Sequence, residues 1–157
     1  MTNFIEQEFI PKELWDYFTN KYGEGTGTLG MRYINPKIVT FMEWLRSTLG
    51  KPITINNWHK NLPPENTFDG RCLRLPSDSA YRISSDHNFS MAIDFDVQGM
   101  QAEEVRQVLI TKYSTDFLRL GAFTMEKGTN WVHVGFADLT SNGWTCEKQN
   151  GIGLIKP

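Results

Sequence analysis

Two histidines and one aspartate in this sequence are residue types that commonly bind a zinc ion. His87 lies in a short polar segment, Asp94 follows shortly after it, and His133 comes much later in the chain. Imidazole nitrogens and carboxylate oxygens are usual zinc ligands, and three protein ligands leave a fourth position for water. If the fold brings the three residues together, they predict a zinc site with one open position.

The two segments that carry Asp94 and His133 have the alternating pattern of β-strands. From Met91 to Val97, apolar residues alternate with alanine and two aspartates, and from Trp131 to Phe136 apolar residues alternate with tryptophan, histidine and glycine. Successive side chains of a strand point to opposite faces of the sheet. Asp94 and His133 are therefore both expected to point away from the apolar side of their strands.

The remaining pattern predicts the elements that position these strands. Helices are expected from Pro11 to Tyr22, from Pro36 up to Gly50, and from Gln101 to Tyr113. A short strand is expected at residues 53–55, and a hairpin joins residues 123–126 to residues 131–136 across residues 127–130. This order indicates an α+β fold with a small, mostly antiparallel sheet and helices packed on one side.

Composition limits the class of protein. The chain has 157 residues, enough for one domain over residues 1–157, and 39% of them are hydrophobic, which argues against disorder. The formal net charge of −2 disfavours a nucleic-acid partner recognised through bulk charge. No apolar run is long enough to span a membrane, and the first residues lack the pattern of a signal peptide. Cys72 and Cys146 are expected to be free thiols rather than a disulfide.

Residues 85–94 resemble the signature S-x-H-x-x-G-x-A-x-D of the D-alanyl-D-alanine carboxypeptidase-type zinc peptidases. The segment reads Ser-Asp-His-Asn-Phe-Ser-Met-Ala-Ile-Asp, and the later Trp131-Val132-His133 is similar to the second signature of that family. The same group contains lysostaphin-like enzymes and the hedgehog signalling domain. The resemblance covers about residues 35–136 and looks closest to the short, single-domain enzymes encoded by tailed bacteriophages.

The resemblance implies a hedgehog-like or D,D-peptidase-like fold in which His87, Asp94 and His133 hold Zn²⁺. It also implies that Ser85 lies near the substrate carbonyl or the metal loop. Either Arg71 or Arg74 would bind a carboxylate of the substrate, since an arginine can pair with a carboxylate through two parallel hydrogen bonds. An ordinary pair of loop charges is the alternative interpretation of these arginines.

The sequence departs from the family pattern at three positions. Ser90 replaces the signature glycine, which matters if the backbone there needs a positive φ. Many relatives have an acidic residue three positions before the last histidine, where this chain has Asn130. Others have an aspartate two positions after it, where this chain has Gly135. Neither replacement can act as a general base.

Glu126 is the carboxylate that the pattern offers instead. A four-residue turn at 127–130 would pair Glu126 with Trp131 and Thr124 with His133. Glu126 would then lie on the face of His133, diagonal to it, at about 7–8 Å between backbones. A surface glutamate beside a turn is the alternative.

Together these features predict a zinc peptidase acting on peptidoglycan stem peptides or cross-links, carried by a phage and present in the host cytoplasm until lysis or in a virion. The alternative is an inactive zinc-binding domain of the same fold that serves as a structural or wall-binding part of a virion. Loss of both usual base positions motivates that alternative. The expected partner is a peptidoglycan peptide, with neither nucleic acid nor membrane involved.

Overall fold

The computed structural model describes residues 4–138 and 146–156. Its α-helices are α1 (Lys12–Tyr22), α2 (Pro36–Leu49), α3 (Ala102–Lys112) and α4 (Ser114–Arg119). Its strands are β1 (Ile53–Thr54), β2 (Ala92–Val97), β3 (Thr124–Glu126), β4 (Val132–Gly135), β5 (Glu147–Gln149) and β6 (Ile152–Ile155). Within these residues, the 3₁₀ helices are Glu6–Glu8, which precedes α1, and Thr26–Tyr33, Trp58–Lys60, Pro64–Asn66 and Asp86–Phe89.

Helix α2 shows how local sequence sets the ends of an element. The Asn35 side chain accepts a hydrogen bond from the backbone N–H of Lys37, and Pro36 occupies the first turn, where its missing N–H costs nothing. Gly50 follows the last turn with a φ of 62°, a left-handed conformation that glycine adopts without strain. The predicted bounds of this helix are therefore confirmed.

The six strands form one sheet in the order β1-β2-β4-β3-β6-β5. All neighbouring pairs are antiparallel except β3 and β6, which are parallel. The prediction of an α+β fold with a mostly antiparallel sheet is thus confirmed. Strands β5 and β6 and helix α4 were not predicted.

One hydrophobic core joins the helices to the apolar side of the adjacent strands β2 and β4. It contains Ile93 and Phe95 of β2 and Val132 and Val134 of β4, together with the buried residues of α2 and α3. Phe41 of α2 makes edge-on ring contacts within this core, at 5.6 Å from the ring of Phe136. Complete burial of such side chains contributes about 1.5–3 kcal/mol each, so β2 and β4 are held firmly on this side. Their polar side chains point the other way.

Two further predictions concern composition. Both cysteines are free thiols, Cys72 buried and Cys146 half-buried, as expected. None of the helices within residues 4–138 and 146–156 combines the length and the apolar character that a membrane span requires.

Candidate metal centre

Pairing of β2 with β4 brings two of the proposed ligands face to face. Asp94 and His133 are direct partners across these antiparallel strands. The carboxylate Oδ1 of Asp94 lies 2.7 Å from Nδ1 of His133, within hydrogen-bond distance. Both side chains lie on the sheet face opposite the core, as their alternation with apolar residues predicts.

His87 reaches the same place from the 3₁₀ helix that precedes β2. Its Nε2 lies 3.3 Å from Oδ2 of Asp94, and its ring centroid lies 5.2 Å from that of His133. The backbone N–H of Arg74 donates to the carbonyl of His87, and the N–H of Met91 donates to the carbonyl of Asp86, so this turn is tied on both sides. The side chain of His87 is 3% exposed.

Ser90 ends the turn in the conformation that the signature glycine would favour. Its φ is 51°, in the left-handed region that side chains other than glycine usually avoid. The Ser90 hydroxyl accepts a hydrogen bond of 2.9 Å from the backbone N–H of Asn35, at the start of α2. This contact offsets part of the strain, because it satisfies a backbone donor that would otherwise lack a partner at the helix end.

The three side chains form a donor set that fits a metal ion. One ligand atom from each of His87, Asp94 and His133 lies within 4.8 Å of the others. Ligands about 2.0–2.2 Å from a tetrahedral zinc ion lie about 3.3 Å apart, close to the separations between these imidazoles and the carboxylate. Two imidazole nitrogens and one carboxylate oxygen also match the donors of catalytic zinc sites.

Mutual contact shifts the pKa of both Asp94 and His133. Burial opposes ionisation of Asp94, but hydrogen bonds from the two histidines hold its pKa well below its ordinary value. Burial likewise disfavours the charged form of His133. The bond to Asp94 and the negative charges of Asp94, Glu126 and Asp86 outweigh burial and raise its pKa. Three carboxylates, those of Asp94, Glu126 and Asp86, therefore act on the imidazole of His133.

Glu126 lies beside the ligands, in a different register from the one expected. Thr124 pairs with Gly135 rather than with His133, so the partners in β4 lie two residues further along the chain than a four-residue turn at 127–130 would place them. Met125 pairs with Val134, so the next residue of β3, Glu126, falls directly opposite His133. A shift of two residues keeps every side chain on its predicted face, and Oε2 of Glu126 lies 3.9 Å from Nδ1 of His133.

Asp86 is a second nearby carboxylate, which sequence reasoning missed. Its Oδ2 lies 3.9 Å from the point where a β-carbon on Gly135 would be, and its charge contributes to the raised pKa of His133. Asp86 therefore lies close to Gly135, which has no side chain of its own. The signature includes position 86 but gives it no side-chain role.

The structure brings one of the two candidate arginines to the ligands. Nη2 of Arg74 lies 3.7 Å from Oδ2 of Asp94. Arg71 instead pairs with Asp96 at 2.6 Å, and its guanidinium stacks on the ring of Phe68 at 3.6 Å. Arg74 is therefore the arginine better placed to meet a group bound at the metal.

Ser85 lies at the N-terminal end of the 3₁₀ helix that carries His87. Its backbone carbonyl accepts from the N–H of Asn88, whereas its side chain makes no hydrogen bond within residues 4–138 and 146–156. The hydroxyl is half-buried and free to meet another group. Ser85 thus lies beside the 3₁₀ helix that carries His87, and no contact within the described residues gives its side chain a role.

A cavity of about 610 Å³ is lined in part by residues that neighbour Arg74 and His87 in the chain. Leu73 and Leu75, which flank Arg74, line it together with Asn88 and Phe89, which follow His87. His87, Asp94 and His133 are not among the residues that line this cavity.

Comparisons of the chain with protein-family models, curated proteins and solved structures gave no match.

Proposed function

We propose that this protein is a zinc-dependent peptidase that hydrolyses stem peptides or cross-links of peptidoglycan. The observation that carries the proposal is the row of Asp94, His133 and Glu126 across three neighbouring strands, with His87 beside it. Three side chains of this group match the ligands of catalytic zinc, and the fourth is a carboxylate close to them that is not needed as a ligand.

Zinc, when bound, supplies a Lewis acid that polarises a peptide carbonyl and makes water a stronger nucleophile at neutral pH. His87, Asp94 and His133 would hold it, with Nε2 of His87 and Nδ1 of His133 facing the carboxylate of Asp94. The apolar core behind β2 and β4 fixes two of these ligands. A rigid position matters because poorly held ligands weaken both metal binding and activity.

Glu126 is the proposed general base. Its side chain is mostly buried, and its Oε2 lies 3.9 Å from the same nitrogen of His133 that would bind the metal. In this position the carboxylate takes a proton from the attacking water and returns it to the amine that leaves when the peptide bond breaks. Glu126 thereby takes the role that an acidic residue at the position of Asn130 or Gly135 has in the zinc peptidases that the sequence resembles.

Arg74 is the proposed anchor for a carboxylate of the substrate. Its guanidinium lies at the edge of the ligand group, and a guanidinium can bind a carboxylate through two parallel hydrogen bonds. Ser85 would donate to the substrate carbonyl. Arg71 is held by Asp96 and would contribute positive charge to the same edge without direct contact.

The substrate class rests on the resemblance of residues 85–94 and 131–133 to the D-alanyl-D-alanine carboxypeptidase-type zinc peptidases. Two observations support it: the signature residues converge on one point, and they do so on a mostly antiparallel sheet within an α+β fold. A hedgehog-like or D,D-peptidase-like fold, a phage origin, and action at lysis or from a virion belong to the same proposal.

Digestion of purified peptidoglycan tests the proposal. Zinc-loaded protein is incubated with walls whose stem peptides contain either lysine or diaminopimelate, and the released peptides are identified by mass spectrometry. We expect peptide release by the wild type, none by His133→Ala, and a rate about 100- to 10,000-fold lower for Glu126→Gln. Glu65→Gln, which changes an exposed glutamate of the 3₁₀ helix Pro64–Asn66, outside the ligand group, is the matched control and should retain the wild-type rate.

A catalytically inactive zinc-binding domain is the second candidate, favoured by the loss of acidic residues at positions 130 and 135. It predicts that the zinc-loaded wild type releases no peptide from either wall, although it binds zinc and sediments with the wall material. If the wild type and Glu126→Gln release peptide at the same rate, the peptidase proposal stands, but Glu126 is not the general base.

A further inference from the structure

Arg106 is a buried cation that no step of the proposed reaction uses. It lies on α3, its side chain is 3% exposed, and its Nε donates to Oε2 of Glu103 at 2.8 Å. Glu103 itself is exposed, so this ion pair faces solvent on one side and adds little stability. The rest of the guanidinium points away from Glu103, toward the sheet.

The other donors of Arg106 bind the connection between β3 and β4. Nη2 donates to the carbonyl of Thr129 at 2.9 Å, and Nη1 donates to the carbonyl of Trp131 at 3.0 Å, with the Thr129 hydroxyl at 3.4 Å. The Thr129 hydroxyl also donates to the Trp131 carbonyl at 2.9 Å. One guanidinium thus holds two carbonyls of a five-residue connection.

This connection separates the proposed base from a metal ligand. Glu126 is the last residue of β3, three positions before Thr129, and His133 is the second residue of β4, two positions after Trp131. A different path for residues 127–131 would change the register of β3 against β4. That register decides whether Glu126 lies opposite His133 or diagonal to it.

We propose that Arg106 is a positioning residue, which fixes the connection 127–131 and thereby sets the distance between Glu126 and the metal ligand His133. The inference rests on the proposed function for the role of Glu126. The planar guanidinium reaches two carbonyls at once, which a single amide or ammonium group cannot do with the same geometry. Its burial also removes water as an alternative partner for those carbonyls.

Cobalt binding tests this role without requiring catalysis. Co²⁺ is titrated into metal-free protein, and its visible absorption reports both affinity and ligand geometry. Loss of a group that hydrogen-bonds a metal ligand typically costs 10- to 100-fold in metal affinity or activity. Arg106 acts through the carbonyl of Trp131, two residues before His133, so we expect the lower end of this range, about a 10-fold loss of cobalt affinity, for Arg106→Gln, together with a changed cobalt spectrum. With saturating zinc, kcat for peptide release should also fall at least about 10-fold, with KM nearly unchanged.

Two controls separate positioning from stability. Glu103→Gln removes the solvent-facing partner of Arg106 and leaves both carbonyl contacts, so its cobalt affinity should stay within about threefold of the wild type. Val105→Ala removes buried volume from the neighbouring position of α3 and lowers Tm without touching the connection. All variants are measured at a temperature at which each remains folded.

The inference is overturned if Arg106→Gln keeps the cobalt affinity and spectrum of the wild type, or if Val105→Ala loses as much cobalt affinity as Arg106→Gln. A wild type that binds cobalt but releases no peptide would refute the peptidase proposal alone, because the cobalt titration would still decide the role of Arg106. A wild type that binds no cobalt would refute both.

Discussion

Replacing Asp94 by asparagine removes the central one of the three proposed metal ligands with almost no change in side-chain size. One carboxylate oxygen of Asp94 lies 2.7 Å from His133 and the other lies 3.3 Å from His87, so this residue links the two imidazoles. A neutral amide offers zinc no charge and a poorer donor than a carboxylate. We therefore expect Asp94→Asn to remain folded and to bind zinc much more weakly than the wild type.

The size of the effect follows from the number of ligands. Four-ligand structural zinc sites have apparent binding free energies of about 10–16 kcal/mol, or roughly 3 kcal/mol per ligand. Loss of one ligand then weakens affinity about 100-fold. Free zinc at about 1,000 times the wild-type Kd stabilises the wild type by about 4.1 kcal/mol and the variant by about 1.4 kcal/mol. At about 2–4 °C per kcal/mol, zinc should raise Tm by about 8–16 °C in the wild type and about 3–6 °C in Asp94→Asn.

Thermal unfolding followed by circular dichroism, with free zinc set by a chelator buffer, measures this difference. Asp96→Asn is the matched control, because Asp96 lies on the same face of β2 but pairs with Arg71 instead of the imidazoles. It should show the full wild-type rise in Tm. The reasoning fails if Asp94→Asn shows the same zinc-dependent rise as the wild type, or if Asp96→Asn loses the rise to the same extent.

Three further predictions concern the elements around the site. In the native protein, a thiol reagent should modify Cys146 but not Cys72, because burial raises the pKa of the Cys72 thiol to about 12. Modification of both cysteines before the protein unfolds would contradict this prediction. Gly135→Ala should cost about 1–3 kcal/mol in chemical denaturation, because its β-carbon would overlap the hydroxyl of Thr124, and Thr124→Ala should restore part of the loss. Ser90→Ala should cost about 1–3 kcal/mol, since a helix-start N–H loses its acceptor, and an unchanged free energy of unfolding would refute that role.

The sheet face on which Asp94 and His133 lie could be predicted from the sequence because strand periodicity fixes side-chain direction. Alternation in β2 and β4 places Asp94 and His133 on the polar face whatever the length of the connecting segments. The register between β3 and β4 depends instead on the path of residues 127–131. A shift of two residues preserves faces, so Glu126 remained on the predicted face although its predicted partner was wrong.

The unpredicted features depend on contacts between distant parts of the chain. Residues 147–149 are exposed and polar, so β5 has no alternating pattern, and the parallel pairing of β6 with β3 joins segments that no turn connects. Arg106 lies on α3, where the spacing of apolar residues predicts which side of the helix faces the core but not which groups a charged side chain contacts. Its contacts with Thr129 and Trp131 follow from how α3 packs beside β4, which periodicity does not specify.

The proposed function requires one zinc ion held by His87, Asp94 and His133, with Glu126 facing it. Diffraction at the zinc absorption edge, from crystals grown with one equivalent of zinc, tests this most directly. We predict a single anomalous peak about 2.0–2.2 Å from Nε2 of His87, a carboxylate oxygen of Asp94 and Nδ1 of His133. Zinc bound at other residues, or no anomalous peak between these three side chains, would contradict the account.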